Sequence, residues 1–453
     1  MDKGQIIEGK VVDFALPEGQ GVLKEGGRVV FVPGVLIDEV CRVRITKLKK
    51  NYALGEVIDI LEPSPSRVEP ICPHFLEGCG GCRFQFMDYE EQVKAKERNA
   101  RQTLEKVGGI SWEEVDYEGF IPSPSPWEYR NKMEFNFGEK EGELILGLRP
   151  RGRYWDLVDL KVCYLMKKDL TQTLLKLFRD YGRNSSLSGY DPRKKEGVLR
   201  NLLVRYSSSQ ELLLGLSTVS VDLPRQEDLI EELRKNFPSL EGLVHIINNS
   251  PASALIFEDK KVLWGKDHFF ERVGSVNYKV SIESFFQVNS FLSSTLYEKA
   301  AHYASLSGGE TVLDLYCGSG GVGLFVADSA QQVVGVEENP QAVEDAKFNA
   351  WLNGRNNFTC IPGRVDKVLP LFSNVGVDVV IVDPPRAGLD KKVVRRVSSL
   401  SPQRLVYISC NISTFARDLL LFREQGYHLE KITFLDLFPQ TPYFESVALL
   451  KKR

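Results

Sequence analysis

Residues 311–323, TVLDLYCGSGGVG, constrain the fold of this chain more than any other stretch. An apolar run reads as a strand. Gly318, Gly320 and Gly323 follow it in the spacing G-x-G-x-x-G, and a helix is expected to open there. Glycines so placed allow a tight turn and let a ligand approach the backbone. Further apolar strands, QVVGVE, VDVVIVD and RLVYIS, alternate with helical stretches such as NPQAVEDAKFNAWLNG. That alternation predicts a parallel, doubly wound, Rossmann-like α/β domain over residues 286–453. In such sheets ligands bind beyond the carboxyl ends of the strands.

The residues at those ends carry chemistry. Glu337 closes QVVGVE, where a carboxylate can hold ribose hydroxyls, a feature shared by dinucleotide and adenosylmethionine sites. Asp314, inside the first strand, favours adenosylmethionine, whose ammonium it can take directly or through water. Asp383 ends VDVVIVD, and Pro384 and Pro385 then stiffen the loop. Arg386 stands where amine-methylating enzymes often carry an aromatic residue, which argues against nitrogen as a methyl acceptor. Cys410 ends the strand of VYISC, where a thiolate would be a nucleophile at the ligand edge. Glu445 lies between the loop FPQTPYFE and a last apolar strand, and a buried carboxylate there is costly unless it is paired or used.

The upstream chain is organised differently. Residues 1–62 hold short alternating strands with glycines at the turns, which predicts a small OB-like β-barrel. LEPSPSRVEP reads as a linker. Residues 88–108 read as a helix, with Asp88 as its N-cap and Gly108 at its end. Residues 63–285 are expected to form a central α+β domain carrying a cysteine loop, CPHFLEGCGGC. Cys72, Cys79 and Cys82 give C-x6-C-x2-C, with Cys163 as a candidate fourth ligand, and an all-sulfur set fits either zinc or an iron–sulfur cluster. The net charge is −3, so local clusters must carry any contact with nucleic acid. Arg42, Arg44, Lys47, Lys49 and Lys50 form one such cluster; Arg149, Arg151 and Arg153, and Arg193, Lys194 and Lys195, form two others. The opening MDKGQIIEGK has no signal-peptide apolar region, and no apolar run reaches membrane-spanning length. A cytoplasmic protein with no membrane partner is expected.

With these stretches together, the chain resembles the bacterial RNA uracil-5-methyltransferase family. It looks most like the members with an N-terminal TRAM barrel, which methylate large-subunit (23S) ribosomal RNA to give 5-methyluridine. The resemblance rests on the barrel, CPHFLEGCGGC with Cys163, FFQVN, LDLYCGSGGVGL, VDPPRAGL, YISCNISTFARDL and FPQTPYFES. It implies a [4Fe–4S] cluster on Cys72, Cys79, Cys82 and Cys163. It implies S-adenosylmethionine contacts at Gln287, Tyr316, Glu337 and Asp383, beside the glycine turn of Gly318 and Gly320 and the carboxylate of Asp314. It places the nucleophile at Cys410 and the proton acceptor at Glu445, and it implies a monomer acting on RNA, with the 88–108 helix against the methyltransferase domain. Two positions depart from the family pattern: Ile412 replaces the usual proline after Cys-Asn, and Tyr443 replaces the usual histidine before the glutamate.

The chemistry explains the residue types. Carbon 5 of uracil is a poor nucleophile. A thiolate that adds at carbon 6 makes the ring an enolate with nucleophilic carbon 5, and a base must then remove the carbon 5 proton before the thiolate leaves. The target base must also leave its stack. The same reaction on a transfer-RNA uridine is the nearest alternative. A non-catalytic RNA-binding protein would be expected to have lost Cys410 or Glu445, and neither is lost. An NAD-dependent oxidoreductase leaves Cys410, Asp383 and the cysteine cluster without a task.

Overall fold

The structure is a computed structural model, and it describes all residues except Tyr154, Ser253 and Arg453. At the N-terminus, β1 (Ile6–Ala15), β2 (Gln20–Glu25), β3 (Arg28–Pro33), β4 (Val40–Leu48) and β5 (Tyr52–Glu62) close into a barrel in the order β1-β2-β3-β5-β4. Alternating residues such as Val11, Val30, Val32, Val43 and Ile45 point inward and are fully buried. Arg42 and Arg44 lie on the other face of β4; Arg42 pairs with Glu8 at 2.8 Å, and Arg44, Lys47, Lys49 and Lys50 are exposed.

A strand β6 (Asp116–Ile121) precedes the central sheet. That sheet comprises β7 (Lys132–Lys140), β8 (Glu143–Leu148), β9 (Val158–Asp159), β10 (Leu199–Tyr206), β11 (Leu212–Thr218), β12 (Leu240–Ile247) and β13 (Asp259–Gly265), in the order β13-β12-β11-β10-β7-β8-β9. Its strands β10 and β11 are buried along almost their whole length. A hairpin, β14 (His268–Val273) and β15 (Val276–Ser281), leads onward.

The C-terminal sheet contains β16 (Thr311–Leu315), β17 (Gln332–Glu337), β18 (Phe358–Pro362), β19 (Val379–Val382), β20 (Arg404–Ser409), β21 (Tyr427–Leu435) and β22 (Glu445–Lys452). The order is β18-β17-β16-β19-β20-β22-β21-β6. Pairing is parallel from β18 to β20, and β22 runs antiparallel to both its neighbours. Strand order reverses between β16 and β19, so the loops after those two strands splay apart and leave a crevice, the usual ligand position in sheets of this kind.

The eighth strand corrects the boundaries read from sequence. β6 falls inside residues 63–285, yet it pairs parallel with β21 as an edge of the C-terminal sheet. DYEGFI is short and only partly apolar, and its pairing partner lies over 300 residues away, so no local pattern assigns it to a sheet.

The helix Tyr89–Lys106 starts where Asp88 accepts a hydrogen bond from the Glu91 amide. Its residues Ala100 and Leu104 pack in one core with Leu419 and Phe422 from the helix Ile412–Arg423. Its Lys96 forms a 2.7 Å ion pair with Asp436, both side chains fully buried, and donates to the Phe438 carbonyl. Gln92 and Gln440 exchange two hydrogen bonds. The loop between β21 and β22 is therefore pinned by a helix from the other end of the chain. Among the described residues, no helix is long and apolar enough to cross a membrane.

Candidate active site

The glycine turn is built as its composition dictates. Tyr316, Gly318 and Gly320 all have positive φ, 63°, 55° and 88°. A Cβ on Gly318 would meet nothing within 4 Å, so the turn borders open space on that side. Glu337, at the end of β17, accepts hydrogen bonds from the amides of Gly318 and Asn339. Gln287 donates to Asp383 at 3.3 Å, and Asp383 follows β19 directly. The expected cofactor residues Gln287, Tyr316, Gly318, Gly320, Glu337 and Asp383 thus border the β16–β19 crevice.

Asp314 lies at the root of the glycine turn. It is 2% exposed, and its Oδ2 accepts the Gly323 amide at 2.8 Å. A side chain on Gly323 would collide with that oxygen. Asp314 therefore ties the start of the Gly321–Val326 helix to β16. Burial pushes its carboxyl up to about 7, with Asp383 and Glu337 adding repulsion against the Gly323 hydrogen bond. Asp383 is likewise pushed up to about 7 by burial. A crevice crowded with desolvated carboxylates suits a ligand bearing positive charge, as a sulfonium and an ammonium do, and disfavours a pyrophosphate.

This gives the first prediction. The folded protein holds the Asp314 proton up to about pH 7, whereas the unfolded chain releases it near the ordinary carboxylate value, so stability falls as pH climbs between the two. Asp314→Asn carries no such penalty and keeps an acceptor for Gly323. In urea unfolding of the ligand-free protein, the variant should gain on the parent at pH 8 by about 4 kcal/mol. The gain should vanish towards pH 4; an equal difference at both pH values would refute it.

Cys410 and Glu445 are brought together by strand register. The antiparallel ladder of β20 and β22 ends at Ser409 opposite Ser446, so the next residues, Cys410 and Glu445, face each other just past it. Ser409 accepts from the Asn411 amide and donates to the Asn411 carbonyl, which turns the chain sharply after the cysteine. Asn411 caps the Ile412–Arg423 helix through the Ser413 amide, and its side-chain nitrogen donates to the Arg386 carbonyl. Ile412, where a proline was expected, is buried in the adjoining core.

Burial pushes the Cys410 thiol up to about 12, with Glu445 and Asp383 adding to it and Arg386 opposing through charge and a hydrogen bond. Glu445 is 4% exposed and held well above the carboxylate range by burial, then by Asp383, again against Arg386. Its Oε2 has no hydrogen-bond partner among the described residues. An orphaned carboxylate oxygen beside a thiol is a costly arrangement, of the kind found where a group awaits a substrate. Sequence reading missed Asn411, although a polar residue directly ahead of helix formers is an N-cap signal. It also missed the contact of Tyr443 with Arg386, whose guanidinium carbon lies 4.0 Å from the ring centre.

Cys72, Cys79, Cys82 and Cys163 line one small cavity of about 20 Å³, walled by Phe75, Leu148, Leu160, Val162 and Leu165. Burial pushes Cys79 up to about 12 and Cys163 up to about 11, and repulsion among these thiols adds to it. Among the described residues, no group of three or more His, Cys, Asp or Glu is arranged to hold a metal ion. The cavity as it stands has room for about one water; the donor set, four sulfurs in apolar surroundings, fits the chemistry of a soft metal or cluster.

Comparison with known proteins places the whole chain. Residues 219–366 and 371–453 match the family tRNA (Uracil-5-)-methyltransferase, and residues 2–58 match the TRAM domain. An uncharacterized RNA methyltransferase of Halalkalibacterium halodurans is 36% identical, over 100% of this chain and 98% of its own. Another, of Caldanaerobacter subterraneus, is 38% identical over 100% of both. Among solved structures, the Pyrococcus abyssi tRNA (uracil-54, C5)-methyltransferase with S-adenosyl-L-homocysteine superposes with a TM-score of 0.78 at 27% identity, covering 98% of this chain and 99% of that one. Similarity of this extent means that the chain belongs to the uracil-5-methyltransferase family, with a TRAM domain at its N-terminus, and is an S-adenosylmethionine-dependent RNA methyltransferase.

Proposed function

We propose that this enzyme methylates carbon 5 of one uridine in large-subunit ribosomal RNA through a covalent bond from Cys410 to carbon 6. The observation that carries the reading is the pairing of a half-buried thiol with an orphaned, buried carboxylate across the end of the β20–β22 ladder. Cys410 gives its proton to solvent and adds to carbon 6 as the thiolate, and negative charge passes from sulfur into the ring. Arg386, beside the thiol, favours the thiolate before addition. S-adenosylmethionine, when bound, supplies the methyl group as an electrophile; Gln287, Tyr316, Gly318, Gly320, Glu337 and Asp383 would hold it. Glu445, which must first give its own proton to solvent because burial favours its neutral form, then takes the carbon 5 proton as a carboxylate, and the sulfur departs. The unpartnered Glu445 Oε2 suits that role.

The barrel is proposed as an OB-like RNA reader, with Arg42, Arg44, Lys47, Lys49 and Lys50 on phosphate. It supports the ribosomal reading. A transfer-RNA uridine is the second reading, favoured by the Pyrococcus abyssi enzyme, which this chain matches over nearly its whole length. Mapping 5-methyluridine in RNA from a deletion strain separates them. One site should vanish from 23S RNA and return with the parent gene but not with Cys410→Ala. Loss from transfer RNA instead would establish the second reading, and loss from neither would refute both.

Cys72, Cys79, Cys82 and Cys163 are proposed as ligands of a [4Fe–4S] cluster, on the strength of four thiols lining one apolar cavity. Protein purified without oxygen should be brown and hold iron and sulfide in equal amounts. Cys79→Ser should lose most of the colour. A colourless, fully active protein containing only zinc would overturn the assignment.

A further inference from the structure

Tyr443 occupies a position of unusual charge. Its ring faces Arg386 at 4.0 Å and Arg83 at 5.8 Å, and Arg151 also lies close to it. The reaction described above gives this ring no task. Arg386, however, has a problem that the ring solves. Its backbone is secured, since its carbonyl accepts from both Asn411 and Thr414. Its side chain is long and the residue is exposed, so the charge helps Cys410 only if the guanidinium is kept from swinging into solvent. A planar guanidinium stacked on an aromatic face keeps its charge and its orientation.

The ring is itself well anchored. Tyr443 lies two residues before Glu445, on the loop that Lys96 and Gln92 pin, and its amide donates to Thr441. The amides of Arg83 and Phe84 both donate to the Gln440 carbonyl, and the Arg83 guanidinium donates to Pro17 of the barrel's first turn. The cysteine loop, the barrel and the β21–β22 loop thus meet at Tyr443.

We propose that Tyr443 is a positioning residue, whose ring holds the Arg386 guanidinium beside the Cys410 thiol and the Glu445 carboxylate. The inference rests on the reading of Cys410 and Glu445 as nucleophile and base. The charged groups that bear on the thiol are Glu445 from β22 and Asp383 and Arg386 from the loop after β19. Arg386 is the one of the three that favours thiolate, so any loosening of it moves the thiol's titration upward.

The test needs no RNA. Full-length protein is alkylated with iodoacetamide from pH 6 to 9, and the Cys410 peptide is followed by mass spectrometry. S-adenosylhomocysteine binding confirms that each variant is folded. Tyr443→Leu should move the rate–pH profile up by about one unit, which is about tenfold slower alkylation at a fixed pH. Tyr443→Phe should restore the parent profile, because the ring face and not the hydroxyl does the holding. Arg386→Met should slow alkylation to a similar degree, and adding Tyr443→Leu to it should change nothing further. If Tyr443→Leu does not fold, Tyr443→His serves. It gains a charge below about pH 6.5, which repels the guanidinium, so its deficit should grow as pH falls through that value. Parent-like alkylation in every folded Tyr443 variant overturns the proposal. A parent protein that methylated no RNA would instead overturn the functional reading, since alkylation does not depend on it.

Discussion

Glu445→Gln should trap the enzyme on its RNA after methyl transfer. The thiolate cannot be expelled while carbon 5 keeps its proton, and glutamine cannot accept it. An RNA–protein adduct that survives denaturation should accumulate, with the methyl group already on the base. Turnover should fall by about 10²–10⁴, the range that positioned acid–base groups contribute. Glutamine is nearly isosteric and neutral, and Glu445 is held towards its neutral form by burial, so the fold should tolerate the change. Cys410→Ala should form neither adduct nor product, yet still bind S-adenosylhomocysteine, because the glycine turn and Glu337 are untouched. The double variant should behave like Cys410→Ala. Denaturing gels and mass spectrometry of the digested adduct decide the matter; near-parent turnover by Glu445→Gln would mean that another base acts.

The second large effect concerns stability. Lys96 and Asp436 are both fully buried and 2.7 Å apart. Burial drives the Lys96 ammonium down, and only Asp436 opposes it. Lys96→Met should strand the Asp436 charge in the core, at a cost of about 3–5 kcal/mol. Lys96→Met with Asp436→Asn removes both charges and should recover most of that loss. Chemical denaturation of the parent, the single and the double variant measures the cycle. A double variant as unstable as the single would mean that the lost Lys96 hydrogen bond to Phe438, and not the stranded charge, sets the cost.

Much of this was legible in the sequence. The strands of the C-terminal sheet are apolar runs bounded by turn residues, and their period gives them away. Asp88 as a helix cap and Cys410 at a strand end follow from local chemistry. What stayed hidden depends on register and distance. Nothing local says that Cys410 and Glu445 face each other, because 35 positions separate them in the chain and only the β20–β22 pairing joins them. Asp314 stands out in the sequence as a carboxylate inside an apolar strand, but nothing local says that its Oδ2 accepts the Gly323 amide. Lys96 sits in a helix rich in charge, where each lysine looks solvated, and the loop from β21 to β22 covers it. The Tyr443–Arg386 stack joins two loops that no sequence pattern relates.

The edge strand β6 sets a schedule for synthesis. Residues 116–121 leave the ribosome early, and their partner β21 begins only at residue 427. Chains fold as they emerge, largely from the N-terminus onward. Until β21 emerges the nascent protein must therefore keep β6 unpaired, as an edge open to wrong partners. The Tyr89–Lys106 helix waits in the same way for Asp436, and Cys410 waits for Glu445. Cys410 and Glu445, the proposed nucleophile and base, meet only once residue 445 has emerged, so a chain released before that point would carry a finished barrel and no Cys410–Glu445 pair.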